Sequence, residues 1–521
     1  MNHPFRCALR LCLTVLPAAV FFMGCGSPDP GPVQAVGRPP VIEPDYSGIE
    51  IPPNLAPLNF RLQEKAEAFR IEAEGADGTG FRIRGRGRDV ILPAGPWRRL
   101  LDANRGRDIR FSVTVRDSLG QWLRFDPIVN RVSHDSIDGY LVYRKMPPVC
   151  VFWKRLSVVE RNLGSFKERV ILDNRAMRDG CFNCHTFYGN RTDRWLVHLR
   201  GAPSTAMLLT VDGRTRLMRT QTESVPAAAA YASWHPDGRT LAFANMKVRQ
   251  FFHTAGPNRD VYDLTSDLAV CRIDSAVVAA PPEIADPARL ETYPAWAPDG
   301  KALYFCSAPA YDTTGFFERH TYRTIKYDLM KASHDPVTGG FGRPVTVLAA
   351  AKTGLSATHP RVSPDGRFLL FCLCEYGNFS IYRPGTDLYL MDLRTGDFRR
   401  LECNSGQSDS YHSWSANGRW FVFSSKRGDG VLARPYFAHV DADGAVSRPF
   451  VLPQKDPGLY GSHLYTFNVP ELVAEPVRPG RKQILDAALD TQRTLNCRSA
   501  GPAAAASVGA GVEEQTWKPA R

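Results

Sequence analysis

Short runs of alternating apolar and polar residues, broken by Gly, Asp and Pro clusters, recur along the chain. Phe69 to Ala73, Phe81 to Arg84, Ile109 to Val115 and Trp122 to Ile128 have the period-two pattern of half-buried strands. Strands of this length and spacing predict a small β-sandwich-like domain over residues 54–138. Before it, residues 25–53 are rich in Pro, Gly and Asp and lack apolar periodicity, which predicts an extended tether. Beyond about residue 139 the pattern itself repeats. Trp234-His235-Pro236-Asp237-Gly238, Trp296-Ala297-Pro298-Asp299-Gly300, Val362-Ser363-Pro364-Asp365-Gly366 and Trp414-Ser415-Ala416-Asn417-Gly418 each precede an apolar strand ending in Phe243, Phe305, Phe371 or Phe423. An Asp-Gly or Asn-Gly turn between two strands is a hairpin, and further strands follow, as in Asp387 to Leu393 and Asp397 to Leu401. Four strands per unit, repeated radially, predict β-propeller blades over residues 139–475. Tyr140 to Arg144, Leu156 to Glu160 and Glu168 to Leu172 supply a further blade, Phe467 to Val473 a closing strand, and the total is about six. Residues 476–521 read as a disordered tail with an Ala/Gly-rich run at Ala500 to Gly511. The expected fold class is therefore all-β.

Composition adds bounds. A chain of 521 residues, 43% hydrophobic, holds two or three ordinary cores. The formal charge of +12 comes mostly from scattered arginines, with a cluster at Arg82, Arg84, Arg86 and Arg88. A solvated basic face explains it better than nucleic acid, and an acidic redox protein or an anionic surface is compatible with it.

The strongest chemical signal is Cys181-Phe182-Asn183-Cys184-His185. Two thiols two residues apart, followed at once by histidine, are spaced to bond two porphyrin vinyl groups and offer an imidazole to the iron, as in c-type haem attachment. A thioredoxin-like pair would need a strand-to-helix context, and structural zinc a second ligand pair, and the sequence displays neither. One covalent haem c is expected, held by Cys181, Cys184 and His185.

The first residues bear on compartment. Arg6 and Arg10 precede an apolar run from Leu11 to Gly24, of signal-peptide length and too short to span a bilayer. Its end, Phe22-Met23-Gly24-Cys25, resembles a bacterial lipoprotein signal, with Phe22 where leucine is usual. The resemblance implies removal of residues 1–24 and lipidation of Cys25 in the periplasm of a Gram-negative bacterium. Gly26, in place of the Asp that often retains such proteins in the inner membrane, points to the outer one.

The Trp-x-Pro-Asp-Gly repeats resemble those of TolB-like propellers over residues 190–455. That resemblance implies the fold and is nearly silent on activity. Aligning His185 with His359 makes the haem pentapeptide the start of a degenerate blade, with its turn at Arg191-Thr192 and with His198 directly across from His185. The long connections Ala244 to Tyr262, Ser307 to Tyr327 and Leu373 to Thr386 fall on the haem side and are expected to form a lid. Candidates for the second iron ligand are His253 and Met246 on the first of them, with Met207, His235, His320 or an open position as alternatives. His198 is expected to be a buried polar neighbour, and His359 and His412 to hydrogen-bond the scaffold.

After the signal cysteines, Cys25 and the haem pair are set aside, Cys150, Cys271, Cys306, Cys372, Cys374, Cys403 and Cys497 remain. They read as small buried hydrophobes rather than as a disulfide framework. No hydrolase elbow, zinc-protease helix, phosphate loop or dinucleotide fingerprint occurs. The reading is an exported, lipid-anchored, mono-haem cytochrome acting in electron transfer with a periplasmic redox partner. Its rivals are an interaction module with a structural haem and a haem enzyme with an open sixth position.

Overall fold

A computed structural model describes residues 33–147, 155–252, 259–312 and 320–500. Six four-stranded antiparallel units stand around one axis as propeller blades, two of them extended by a fifth, parallel strand. Their innermost strands form a closed ring: Thr466–Val473, Cys181–Tyr188, Ala229–Trp234, Arg289–Trp296, Ser356–Val362 and Asp409–Trp414, in blades one to six. Blade one is assembled from both ends of the propeller sequence. Thr466–Val473 pairs antiparallel with Tyr140–Met146, and Ser157–Asn162 and Glu168–Asp173 complete the sheet.

The repeat motif explains the hairpins. Asp237, Asp299, Asp365 and Asn417 each accept, through the side-chain oxygen, a hydrogen bond from the backbone N–H two residues on. The following glycines take φ between +63° and +74°, which only glycine does without strain. Trp234 and Trp414 then donate their indole N–H to the carbonyls of Thr186 and Arg361, on the innermost strand of the preceding blade. The tryptophans thus tie neighbouring blades together.

The N-terminal unit is larger than the sequence pattern implies. Val33–Ala35 pairs in parallel with Trp122–Arg124, and Glu50–Ile51 with Arg131–Val132, so the expected tether is tied to the sheet edges at two places. Tyr46, Ile49 and Ile51 are buried there; sparse apolar residues without periodicity were enough because each fills a gap between strands. A seven-stranded sheet, a three-stranded sheet and the helix Ala94–Ala103 make up this unit. Its core is continuous with that of the propeller: Ile51, Leu100 and Val132 belong to one buried cluster with Trp420, Phe450 and Leu472. Arg82, Arg84 and Arg86 project from the exposed face of the edge strand Gly80–Arg86.

The presumed tail is also partly ordered. After the helix Arg481–Leu489, Leu495–Asn496 adds in parallel to the outer edge of blade two and Arg498–Ser499 to that of blade three. We call this segment the strap. Backbone pairing needs no apolar pattern, which is why composition alone misread it. Residues 1–32, with the leader and Cys25, lie outside the described residues, as do 501–521. Among the described residues no helix is long and apolar enough to cross a membrane.

Candidate functional site

Every innermost strand breaks its ladder once, at the same place, with a bulge of two residues. The first of these two residues is Val469, Cys184, Tyr231, Tyr293, His359 or Tyr411, all at φ between +49° and +52°. Six non-glycine residues in this sparsely populated region, one per blade, mark the channel as the place where the fold concentrates backbone strain. Four of them form an aromatic stack. Ring centroids lie 4.2 Å apart for Tyr231 and Tyr293, 3.9 Å for Tyr293 and His359, and 4.3 Å for His359 and Tyr411.

This corrects the sequence alignment by one residue. Cys184, not His185, occupies the position of His359, because the turn of blade two is at Gly189-Asn190 and a second irregularity follows on the returning strand. His198 therefore pairs with Asn183 rather than with His185. It is buried as expected, and its Nε2 has no hydrogen-bond partner.

Cys181, Asn183 and Cys184 face a cavity of about 460 Å³ at the channel mouth. Blade one contributes Arg144 and Val469, blade two Arg200, blade three Tyr231, Met246 and Arg259, and blade six Tyr411. Arg144, Arg200 and Arg259 each have a buried Nε without a partner, and none forms an ion pair among the described residues. Arg259 donates to the Gln250 side chain at 3.2 Å and lies 4.4 Å from the Tyr382 ring centroid. Burial, with Arg144 nearby, lowers its pKa to about 10. Burial and Arg259 together lower that of Lys426 to about 8. Asp179 is the one carboxylate in the lining. The cavity is thus a cationic, partly apolar chamber with two thiols on one wall.

Burial holds both thiols protonated at neutral pH, raising Cys181 to about 11 and Cys184 in the same direction. Such thiols are poor nucleophiles, which argues against redox-thiol or cysteine-nucleophile chemistry. Among the described residues no three His, Cys, Asp or Glu side chains cluster as ligands for a bare metal ion, so the pair is not part of a four-ligand zinc site there.

His185 is the second bulge residue. Its imidazole is buried beside the backbone of Val142 and Val469, and burial, with Arg144, lowers its pKa to about 3. The ring is neutral, its Nε2 lacks a partner, and it is not among the groups lining the cavity.

Of the distal candidates, Met246 lines the cavity and His253 lies outside the described residues. Met246 sits on a strand, not a loop. Thr240–Phe252 and Arg259–Arg272 prolong the middle of blade three into a tall hairpin, and its Met246, Val248, Gln250, Arg259 and Val261 wall the chamber. Phe379 and Tyr382, from the connection after residue 373, face them. Met207 is packed in the core, His235 hydrogen-bonds Gly300, and His320 lies beside Tyr322, all outside the lining.

His412 donates from Nε2 to the Leu370 carbonyl at 2.9 Å, the scaffold role expected of it. Burial lowers the pKa of both His198 and His412 to about 3, with Arg200 and Arg361 respectively adding to the effect. The unfolded value is about 6.5. Between these values the unfolded chain binds more protons than the folded one, so stability is full above about pH 6.5 and falls as the pH drops toward 3. The slope is about 1.4 kcal/mol per pH unit for each histidine. Urea midpoints measured from pH 7 to 4.5 should decline accordingly, and less steeply in His412→Gln.

The sequence reading missed the three cavity arginines and, apart from Cys184 and His359, the bulge residues. A signal for the latter was present: Tyr231, Tyr293, His359 and Tyr411 each stand three residues before the first residue of a repeat motif.

No family model matches the chain, and no curated protein does. Among solved structures it is similar to TolB from Acinetobacter baumannii, at 12% identity and TM-score 0.40, covering 73% of this chain and 85% of that one. It is also similar to a hypothetical selenium-binding protein from Sulfolobus tokodaii, at 8% identity and TM-score 0.40, covering 82% and 99%. Likeness at this level carries no functional argument, and the propeller assignment stands on the sheet topology.

Proposed function

We propose that the chain is an exported c-type cytochrome with one covalent haem at the mouth of the propeller channel, carrying electrons for a periplasmic redox partner. The observation that supports this best is that Cys181 and Cys184 share a chamber with three arginines that lack counter-charge. Arg259 is buried and Arg144 and Arg200 are partly buried, each with an enclosed Nε that has no partner; such cations are costly without anions, and a haem brings two carboxylates. A volume of about 460 Å³ lies within the usual range for bound cofactors. When bound, the haem supplies a one-electron carrier.

The chain's own residues do the rest. Cys181 and Cys184 would hold the haem covalently, and Arg144, Arg200 and Arg259, which line the same cavity, would offset its carboxylates. The tall hairpin of blade three and Phe379 and Tyr382 keep water from the chamber. His185 is in the neutral form that ligation requires, and bringing its Nε2 to the iron asks the bulge at residues 184–185 to rearrange. Met246, which lines the cavity, is the second residue that would be able to hold the iron among the described residues. Lipidation at Cys25 would hold the protein at the outer membrane, and the cationic mouth would favour an acidic partner surface.

The test is a pyridine haemochrome spectrum of protein matured in a host with a cytochrome c assembly system. One haem per chain with a reversible, six-coordinate spectrum is expected. A five-coordinate spectrum that shifts with cyanide would transfer the case to an enzyme with an open iron position. Colourless mature protein with no added porphyrin mass would remove the haem reading altogether.

A further inference from the structure

The cysteines outside the cavity read in the sequence as separate apolar fillers, yet the fold brings two of them together. Cys271, near the end of Arg259–Arg272 in blade three, is fully buried. Cys497, between the two short strands of the strap, is 8% exposed. Their sulfurs are 3.8 Å apart, across 226 residues of sequence. No other two cysteine sulfurs are in hydrogen-bonding contact among the described residues. Backbone bonds from the Cys497 N–H to the Arg219 carbonyl at 2.9 Å and from the Arg498 N–H to that of Ala276 at 2.8 Å already hold the strap in place.

We propose that Cys271 and Cys497 form a disulfide in the exported protein, fastening the strap across the outer edges of blades two and three. The inference rests on export, since disulfides persist in oxidising compartments. Each thiol gives up one proton and one electron as the S–S bond forms. The oxidant is a disulfide-bearing thiol oxidoreductase, which leaves as its dithiol. The sulfurs must close from 3.8 Å to about 2 Å, a distance that side-chain rotation and a small shift of the strap can supply. Once formed, the bond is shielded from reductants by the burial of both residues. It closes a very long loop, the case in which a cross-link restricts the unfolded chain most.

The experiment isolates the protein from the cell envelope, membranes included, under acid quench, alkylates it in denaturant without reductant, and maps the peptides. Expected is a linked peptide pair containing Cys271 and Cys497, with neither residue alkylated until reductant is added. Cys497→Ser should abolish the pair and let trypsin release the strap several-fold faster from otherwise folded protein. Both cysteines alkylated in the envelope material, or either joined to a different cysteine, would overturn the proposal. Protein retained in the cytoplasm would show instead that export fails. A leaderless chain treated with oxidised glutathione then decides the pairing: a Cys271–Cys497 link supports it and free thiols overturn it.

Discussion

Replacing Cys181 and Cys184 together by serine will yield a folded protein that carries no covalent porphyrin. The backbone at position 184 does not depend on a thiol. The same strained conformation is occupied by Tyr231, Tyr293, His359, Tyr411 and Val469 in the other blades. Serine is smaller than all of these and fills the site without clash. Cys181 is only half-buried and its sulfur meets the Asn183 amide at 3.8 Å, a weak contact that a hydroxyl can replace. Haem staining on a denaturing gel should be lost completely, while circular dichroism keeps the β-sheet signature of the parent and the urea midpoint falls, because the three arginines lose the carboxylates proposed to offset them. A stained band in the double variant would mean that the porphyrin, if present, is attached elsewhere.

Ending the chain after Tyr465 will abolish cooperative folding. That truncation removes Thr466–Val473, the innermost strand of blade one and the element that closes the ring. Phe467, Leu472 and Val473 leave buried clusters with it, each at about 2–5 kcal/mol. Glu471 leaves as well; its carboxylate accepts a hydrogen bond from the Phe187 N–H in blade two and pairs with Arg361 in blade five. The combined loss is comparable to the whole of the ~5–15 kcal/mol that stabilises an ordinary domain. A second chain ending after Glu475 keeps the closing strand and loses only the strap and its helix. It should show a single urea transition at a lower midpoint, whereas the shorter chain should show none.

The propeller was readable because its determinants are local. Asp237-Gly238 and its counterparts encode a turn by side-chain capping and positive φ, and the apolar strands after them bury both faces between blades. Closure was readable for the same reason, since Phe467, Val469, Leu472 and Val473 give a short strand-like segment after the last complete repeat. Less local features were lost. Val33–Ala35 and Leu495–Asn496 join sheets chiefly by backbone bonds, and strands of two or three residues are too short to show a period. The helix Ala94–Ala103 begins at Ala94-Gly95-Pro96, which reads as a turn until Trp97, Leu100 and Leu101 are seen on one buried face. At the candidate site the cysteines were legible from spacing. Arg144, Arg200 and Arg259 come from three strands and two blades besides that of the first, and only the fold reveals that their charges share one chamber. The offset at His185 arose because the hairpin of blade two carries one residue more than those of the other blades, an event that leaves the flanking apolar pattern intact.

The parallel pairing of Val33–Ala35 with Trp122–Arg124 sets how far the molecule can wander from its mooring. Under the proposed lipidation at Cys25, seven residues rather than the full Pro-rich stretch separate the acyl chains from the first strand. A leash of that length reaches no more than about 30 Å when pulled straight. A partner that spans a wide gap from the opposite membrane would have to come to this protein, because the protein cannot go to it.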